Sequence, residues 1–366
     1  MQIESSLKKT PLYQNHCTLN ARMVDFGGWL MPVQYDGILS EYEQCRKSCA
    51  LFDISHMGEI MFKGDLVKDG LDRVVTCSLQ DLKVGASRYG LMLNDEGGVV
   101  DDLIIFCISK KEFLLVVNAA NIKKDFDYLK SHLVSPNAIS DISNITAKLD
   151  LQGPLARDVL KEIVPGIENL KYFSFDTFNI LGQESIISRT GYTGELGYEI
   201  FLDFDHAKDV WEKLLDDPRV GPAGLGARDI LRTEMAYSLY GHEITDEISP
   251  LEAGLSRFIY LDKKFIGSDS ISGQSKAGLK RKIIYFVSET RRSPRHGQML
   301  YDENHAEIGI VTSGVFSPFM EKGIGIGLIN VDIQLLSDKI FFGNEKSLAA
   351  ADLVKKPFLK NGSLKK

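Results

Sequence analysis

The segment Arg189-Thr-Gly-Tyr-Thr-Gly-Glu-Leu-Gly-Tyr-Glu-Ile-Phe-Leu202 constrains the fold more than any other stretch of the chain. Gly191, Gly194 and Gly197 recur at every third position, which makes a tight loop of permissive backbone instead of a helix or strand. A strand from Tyr198 to Leu202 follows, with Glu199 near its start. At a period of two, Glu199 shares a face with Phe201, while Tyr198, Ile200 and Leu202 take the other. Both faces are largely apolar, so the carboxylate belongs in or beside a low-dielectric site, where it is costly without a partner. Two partners answer that need. One is a planar ligand edge with two N–H donors, which engages both oxygens; the other is an Arg of the protein itself.

At 366 residues the chain exceeds one ordinary core, and two or three domains are expected. Its 43 Lys plus Arg stand against 50 Asp plus Glu, a formal net charge of −7 with no long basic run. That balance argues against nucleic-acid and anionic-membrane partners. Five cysteines, Cys17, Cys45, Cys49, Cys77 and Cys107, are odd in number and contain no CxxC pair. They are expected to be reduced thiols rather than a metal site. The opening residues lack a signal core, and no apolar run reaches the length of a membrane span, so a cytoplasmic location is expected.

Residues Gly58 to Leu133 read as a compact α+β unit. Strands are expected at Glu59–Lys63, Arg88–Leu93, Val99–Ile108 and Glu112–Val117, with a hairpin turn at Asn94–Gly98. Helical spacing marks Asp65–Cys77 behind an Asp cap, and Asn121 is expected to cap a helix through Leu133. The order β-α-β-β-β-α suggests a ferredoxin-like sheet. Beyond residue 141, helices near Ala156–Ile163 and Asp205–Leu215 alternate with strands at Asp176–Ser188 and Tyr198–Leu202. The glycines of Gly221–Gly226 introduce a helix from Ala227 to Tyr240. After Lys280, short strands at Lys282–Ser288, Gln298–Tyr301, Glu307–Thr312 and Gly323–Ile329 read as a separate β-barrel or sandwich. The basic tail is expected to fray beyond Phe358.

Two further positions stand out. Asp101 and Asp102 begin an otherwise apolar strand, so one is expected to face a packed interior and the other to face outward. An inward carboxyl without a cation rises in pKa and exchanges protons near neutral pH; a turn-capping Asp pair is the plainer alternative. Arg228 lies in a first helical turn, where the dipole disfavours a cation. It answers either to a bound anion or carbonyl or to a salt bridge with Asp229 or Glu234. No dinucleotide loop, phosphate loop, Ser–His pair or zinc helix survives scrutiny of its context.

Many ordered blocks together resemble the aminomethyltransferase (T-protein) family of the glycine cleavage system. They include Lys9-Thr-Pro-Leu-Tyr13, Phe26-Gly-Gly-Trp-Leu-Met-Pro-Val-Gln-Tyr35, Phe52-Asp-Ile-Ser-His-Met-Gly58 and Tyr89-Gly-Leu-Met-Leu-Asn94. Gly97-Gly-Val-Val-Asp-Asp-Leu-Ile104, Gly191-Tyr-Thr-Gly-Glu195, Gly226-Ala-Arg-Asp-Ile-Leu-Arg232, Tyr240-Gly-His-Glu-Ile244, Pro294-Arg-His-Gly297 and Val311-Thr-Ser-Gly-Val-Phe-Ser-Pro318 continue the pattern. The resemblance implies an α+β, three-domain ring around a tetrahydrofolate cavity. A discontinuous folate-binding core (1–57 and 134–272) with a mixed antiparallel sheet, a ferredoxin-like domain (58–133) and a C-terminal β-barrel (273–366) are then expected.

By motif match, Asp101 corresponds to the family's essential acid beside the folate N-5, Glu199 to the carboxylate that holds the pterin, and Arg228 to the folate-site arginine. Tyr89, Asn118, Tyr172, Tyr192 and Tyr237 fall at positions associated with lining the cavity. The co-substrate implied is tetrahydrofolate, with no metal. The partner implied is a lipoylated H-protein, with a functional link to the glycine decarboxylase and dihydrolipoyl dehydrogenase components. Its docking is expected on Arg291-Arg-Ser-Pro-Arg-His296 or Lys8-Lys9. A non-catalytic folate-binding relative that supports iron–sulfur assembly is the rival. Its Lys-Gly-Cys hallmark is missing, and the comparable stretch reads Ile248-Ser-Pro-Leu-Glu-Ala-Gly254.

Overall fold

A computed structural model describes residues 6–364, apart from 334 and 345. The chain opens with helix α1 (Tyr13–Thr18), hairpin β1 (Arg22–Phe26) and β2 (Trp29–Gln34), helix α2 (Ile38–Lys47) and strand β3 (Cys49–Asp53). Next come β4 (Gly58–Lys63), the single turn α3 (Leu71–Val74), β5 (Ser87–Leu93), β6 (Val99–Ser109), β7 (Glu112–Val117), α4 (Ile122–His132) and β8 (Ile139–Asp141). The middle contains β9 (Thr146–Gln152), α5 (Ala156–Leu160), β10 (Phe175–Ile180), β11 (Gln183–Ser188), β12 (Gly197–Asp203), α6 (Ala207–Leu215), β13 (Val220–Pro222) and α7 (Leu225–Glu234). Helix α8 (Ser268–Ala277) leads into β14 (Arg281–Ser288), β15 (Met299–Tyr301), β16 (Glu307–Ser317), β17 (Lys322–Asn330), β18 (Lys339–Asn344) and β19 (Ser347–Val354).

These strands build three systems. A five-stranded sheet runs β5-β6-β7-β4-β8, a six-stranded sheet runs β10-β11-β12-β9-β3-β13, and β14-β17-β16-β15-β18-β19 closes into a barrel. Within the first, β8-β4-β7-β6 has the ferredoxin-like order, and β5 is an added edge strand. Strand β8 pairs with β4, so this sheet runs past residue 133. Three residues are too few for periodicity to reveal a strand. Strand β3 is antiparallel to β9 and parallel to β13, which draws the first fifty residues into the six-stranded sheet.

Apolar contacts join the three systems pairwise into a ring. Phe106 of the five-stranded sheet packs edge-on against Phe201 and Phe175 of the six-stranded sheet, at 5.3 and 5.4 Å. Ala227, Ile230 and Leu231 of α7 share a core with Ile324 and Ile326 of the barrel. Leu91, Leu93 and Val99 share another with Leu328.

Local departures from expectation have visible causes. Asp65 does accept from the Val67 and Lys68 amides, as a cap would, but Gly70 at φ +91° turns the chain before a helix propagates. Helix α7 stops at Glu234 because Ala236 adopts φ +55°. Strands β18 and β19, absent from the expected set, complete the barrel. The tail does not fray at Phe358. Phe358, Leu359 and Ser363 are buried, and only 365 and 366 lie outside the described residues.

Candidate active site

The glycine loop is shaped around one side chain. A Cβ at Gly191 or Gly197 would meet the Gln152 amide at 2.2 or 2.0 Å, and Gly194 takes φ +78°. Gln152 is thereby free to bind the loop: it donates to Thr190 O at 3.0 Å and accepts from Thr193 Oγ1 at 2.7 Å. It also donates to Asp150 Oδ1 at 2.5 Å on its own strand, so the loop that it holds is tied to β9 beside Asp150.

Strand parity sorts the rest. Glu199 pairs with Asp150, and Phe201 with Lys148, so all four share one face of the six-stranded sheet. Phe201 on that face touches Phe106 of β6, so the polar members look toward the five-stranded sheet. Arg228 Nη1 donates to Asp150 Oδ2 at 2.6 Å and lies over the Tyr192 ring at 5.1 Å. Its carboxylate partner is therefore Asp150, not the Asp229 or Glu234 of its own helix. Burial pushes the Asp150 carboxyl up to about 6, with Arg228 opposing. Glu199 Oε2 accepts from Thr190 Oγ1 at 2.8 Å and lies 3.6 Å from the buried Lys148 Nζ. Tyr192 stacks on Tyr237 with centroids 5.6 Å apart and donates its hydroxyl to Ser238 O. Tyr172, 41% exposed, interacts with Tyr237 at the outer edge of this group.

On the opposing sheet the two adjacent aspartates part company. Leu103, Ile105 and Cys107 pack with Ile122 and Leu129 of α4, whereas Ile104 and Phe106 pack toward Phe201. Asp101 takes the α4 side, wholly buried, and Asp102 takes the side of Glu199, half-buried. Asn118 Nδ2 bridges them, at 2.8 Å from Asp101 Oδ1 and 2.7 Å from Asp102 Oδ1. The Tyr89 hydroxyl adds a bond to Asp102 Oδ2 at 3.0 Å. Burial, then the charge of Asp101, drives the Asp102 carboxyl up to about 7. Strand parity thus turns Asp101, expected beside a ligand, toward α4, and places Asp102 on the inter-sheet face.

Residues 12–263 match the family described as "GCVT N-terminal domain", and 281–360 match "Glycine cleavage T-protein C-terminal barrel domain". This chain belongs to the glycine cleavage T-protein family. It is 41% identical to the aminomethyltransferase of Halothermothrix orenii, over 96% of this chain and 100% of that protein. It is also 41% identical to the aminomethyltransferase of Pseudothermotoga lettingae, over 98% and 99%. The crystal structure of glycine cleavage system aminomethyltransferase T from Bartonella henselae superposes with a TM-score of 0.90 at 33% identity, covering 97% of this chain and 98% of that one.

Within this T-protein fold, the eight residues singled out from sequence fall in two groups: Asp101, Asn118 and Tyr89 gather around Asp102 on the five-stranded sheet, and Glu199, Arg228, Tyr192, Tyr237 and Tyr172 lie on or beside the six-stranded sheet. Asp102 was singled out only as the neighbour of Asp101, and Asp150 and Lys148 were not singled out. The stretch Lys148-Leu-Asp-Leu-Gln152 did contain a signal, since it alternates polar and apolar residues and sets three polar groups on one strand face. On the basic stretch expected to dock a partner, Arg292 donates to Ser347 Oγ and Ser347 O at 2.9 Å each. Among the described residues, no cluster of three His, Cys, Asp or Glu side chains is placed to hold a metal. No described helix is long and apolar enough to cross a membrane.

Proposed function

We propose that this protein transfers the methylene carbon of an aminomethyl-lipoyl group, presented by an H-protein, to tetrahydrofolate. The products are 5,10-methylenetetrahydrofolate, ammonia and the dihydrolipoyl carrier. The observation that carries this reading is the opposition of two carboxylates across the inter-sheet face. Burial and the charge of Asp101 push the Asp102 carboxyl up to about 7, and the protein contacts of Glu199 fall on Oε2, leaving Oε1 for a ligand.

The residues fit a reduced pterin. Its aminopyrimidine edge presents adjacent N–H donors to Glu199 Oε1, while the stacked Tyr192 and Tyr237 offer ring faces to a planar ligand. Arg228 holds Asp150 ionised beside them and keeps the glycine loop in register through Gln152. Asp102 serves the chemistry. As N-5 bonds the methylene carbon and ammonia departs, positive charge grows on N-5. A carboxylate poised near neutral pH stabilises that charge and accepts the N-5 proton. Closure of the cycle by N-10 releases the lipoyl sulfur. Exclusion of water from this face during the reaction would keep the one-carbon unit from being captured by it.

The test is the complete assay with lipoylated H-protein, the decarboxylase component and tetrahydrofolate. Asp102→Asn is expected to lower turnover by roughly 10²-fold or more with folate affinity little changed. Glu199→Gln, which sets a donor against the pterin's donors, is expected to weaken folate binding by about 2–3 kcal/mol in calorimetry. Near-normal turnover in Asp102→Asn would sink the chemical assignment.

A further inference from the structure

Behind Asp102, on the α4 side of the sheet, a second carboxyl pair is sealed from solvent: Asp101 and Asp125 are each 0% exposed. Asp101 is richly bonded. Its Oδ1 accepts from Asn118 Nδ2 at 2.8 Å and Asn121 Nδ2 at 2.9 Å, and its Oδ2 accepts from the Asn118 backbone N–H at 3.1 Å. Asn121 was expected to cap α4, but its amide is given to Asp101 instead. Asp125 sits one turn further along α4, and neither of its oxygens receives a donor among the described residues. The polar group it meets is Asp101.

Two carboxyls in contact attract only when one holds a proton and donates it to the other. Three N–H donors stabilise charge on Asp101 and none stabilises it on Asp125, so the proton belongs to Asp125. We propose that Asp125 is a positioning residue for the reaction: as a neutral acid it donates to the Asp101 carboxylate, which in turn fixes the Asn118 amide that grips Asp102. The proposal rests on the reading that Asp102 meets the substrate.

The surroundings agree. Burial foremost, then the contact with Asp101, raises the Asp125 carboxyl to about 11. The groups facing the pair are Lys124 from α4, Asp102 from β6 and Tyr240 from the loop beyond α7. Lys124 does not neutralise Asp125, because its ammonium is engaged by the Tyr240 hydroxyl at 2.6 Å and by Asp246 at 3.4 Å. The charge kept on Asp101 is the second cause of the raised Asp102 carboxyl, after burial. A proton fixed on Asp125 therefore keeps Asp102 basic enough to work near neutral pH.

Two variants of the full-length enzyme test this, each with a pH profile of turnover. Asp125→Asn supplies an N–H where the acid supplied O–H, and is expected to retain turnover within about threefold and the acid limb of the profile in place. Asp125→Leu keeps the volume without a donor. Turnover is expected to fall about tenfold with the KM for tetrahydrofolate unchanged, the loss of one charge-assisted hydrogen bond. Infrared difference spectra of wild type against Asp125→Asn provide a readout that does not need activity. A protonated-carboxyl C=O band belonging to Asp125 is expected from neutral to mildly alkaline pH, and its absence overturns the proposal even if the Leu variant fails to fold. Wild-type turnover and profile in Asp125→Leu, with Asp102→Asn inactive, overturns the proposal alone. An active Asp102→Asn overturns the reading beneath it.

Discussion

On β6 the carboxylates are held by neutral donors, the amides of Asn118 and Asn121 and the Tyr89 hydroxyl. Across the inter-sheet face, on β9 and β12, Asp150 and Glu199 are held by cations, Arg228 at 2.6 Å and Lys148 at 3.6 Å. Asp150 and Glu199 are buried and Asp102 is half-buried, and the partners of the two walls differ in charge. A neutral donor satisfies a carboxylate without supplying opposite charge, and Asp102 is left near about 7. A guanidinium opposes the desolvation of Asp150 directly, and burial lifts it only to about 6. One wall thus offers a carboxyl satisfied by neutral donors, and the other carboxyls paired with cations. In the proposed reaction those are the needs of N-5 and of the pterin edge, respectively.

The largest effect that can break this contrast is on stability. Arg228→Ala leaves Asp150 buried without its cation, and about 3–5 kcal/mol is expected to be lost in urea unfolding. Asn118→Ala removes only neutral donors, for which about 1–3 kcal/mol is expected. Equal losses in the two variants would show that charge pairing does not distinguish the walls.

A second effect comes from Glu59, on β4, which faces the same interior with neither oxygen bonded among the described residues. Burial pushes its carboxyl up from 4.5 to about 8, with the Lys148 ammonium opposing. A raised carboxyl means that the folded state keeps a proton the unfolded state has lost. The contribution is full below about 4.5 and disappears as pH rises through about 8, so stability falls across that window. The slope attributable to one group is at most ~1.4 kcal/mol per pH unit. Glu59→Gln should flatten the wild-type decline between those limits. Parallel stability curves for the two proteins would mean that Lys148 already holds Glu59 ionised and that the cationic wall extends to β4.

The sequence is legible where the signal is local. The Asn94–Gly98 turn, the flanking strands β5 and β6, and the apolar strand around Glu199 all have their determinants within a few residues. It is not legible where the determinant is remote. Asp101 and Asp102 are neighbours, and which one meets the opposing sheet depends on the strand's register, offset by a bulge opposite Met92 and Leu93. Arg228 offers two sequence neighbours as partners, yet it bonds a residue 78 positions away. Strands β18 and β19 have short, mixed patterns that acquire meaning only when the barrel closes.

The tail is a sharper instance, because a basic, Gly- and Ser-containing end has the composition of a frayed one. Here it is pinned to the glycine loop. Ser363 N donates to Glu195 Oε2 at 2.8 Å, its hydroxyl donates to the same oxygen, and it accepts from Leu196 N at 2.9 Å. Glu195 is itself anchored by Arg46 at 2.8 Å, so the tail is joined to a cation-held carboxylate of the fixed wall. Ser363→Ala deletes a neutral donor and acceptor while that ion pair survives, so only about 1 kcal/mol of stability is expected to go. The loop should respond more than the whole: amide exchange at Leu196 is expected to quicken, with turnover chemistry unaltered and the KM for tetrahydrofolate slightly raised. If exchange at Leu196 and folate binding are both unchanged in Ser363→Ala, the Arg46–Glu195 pair alone holds the loop, and the tail is a passenger on the wall it covers.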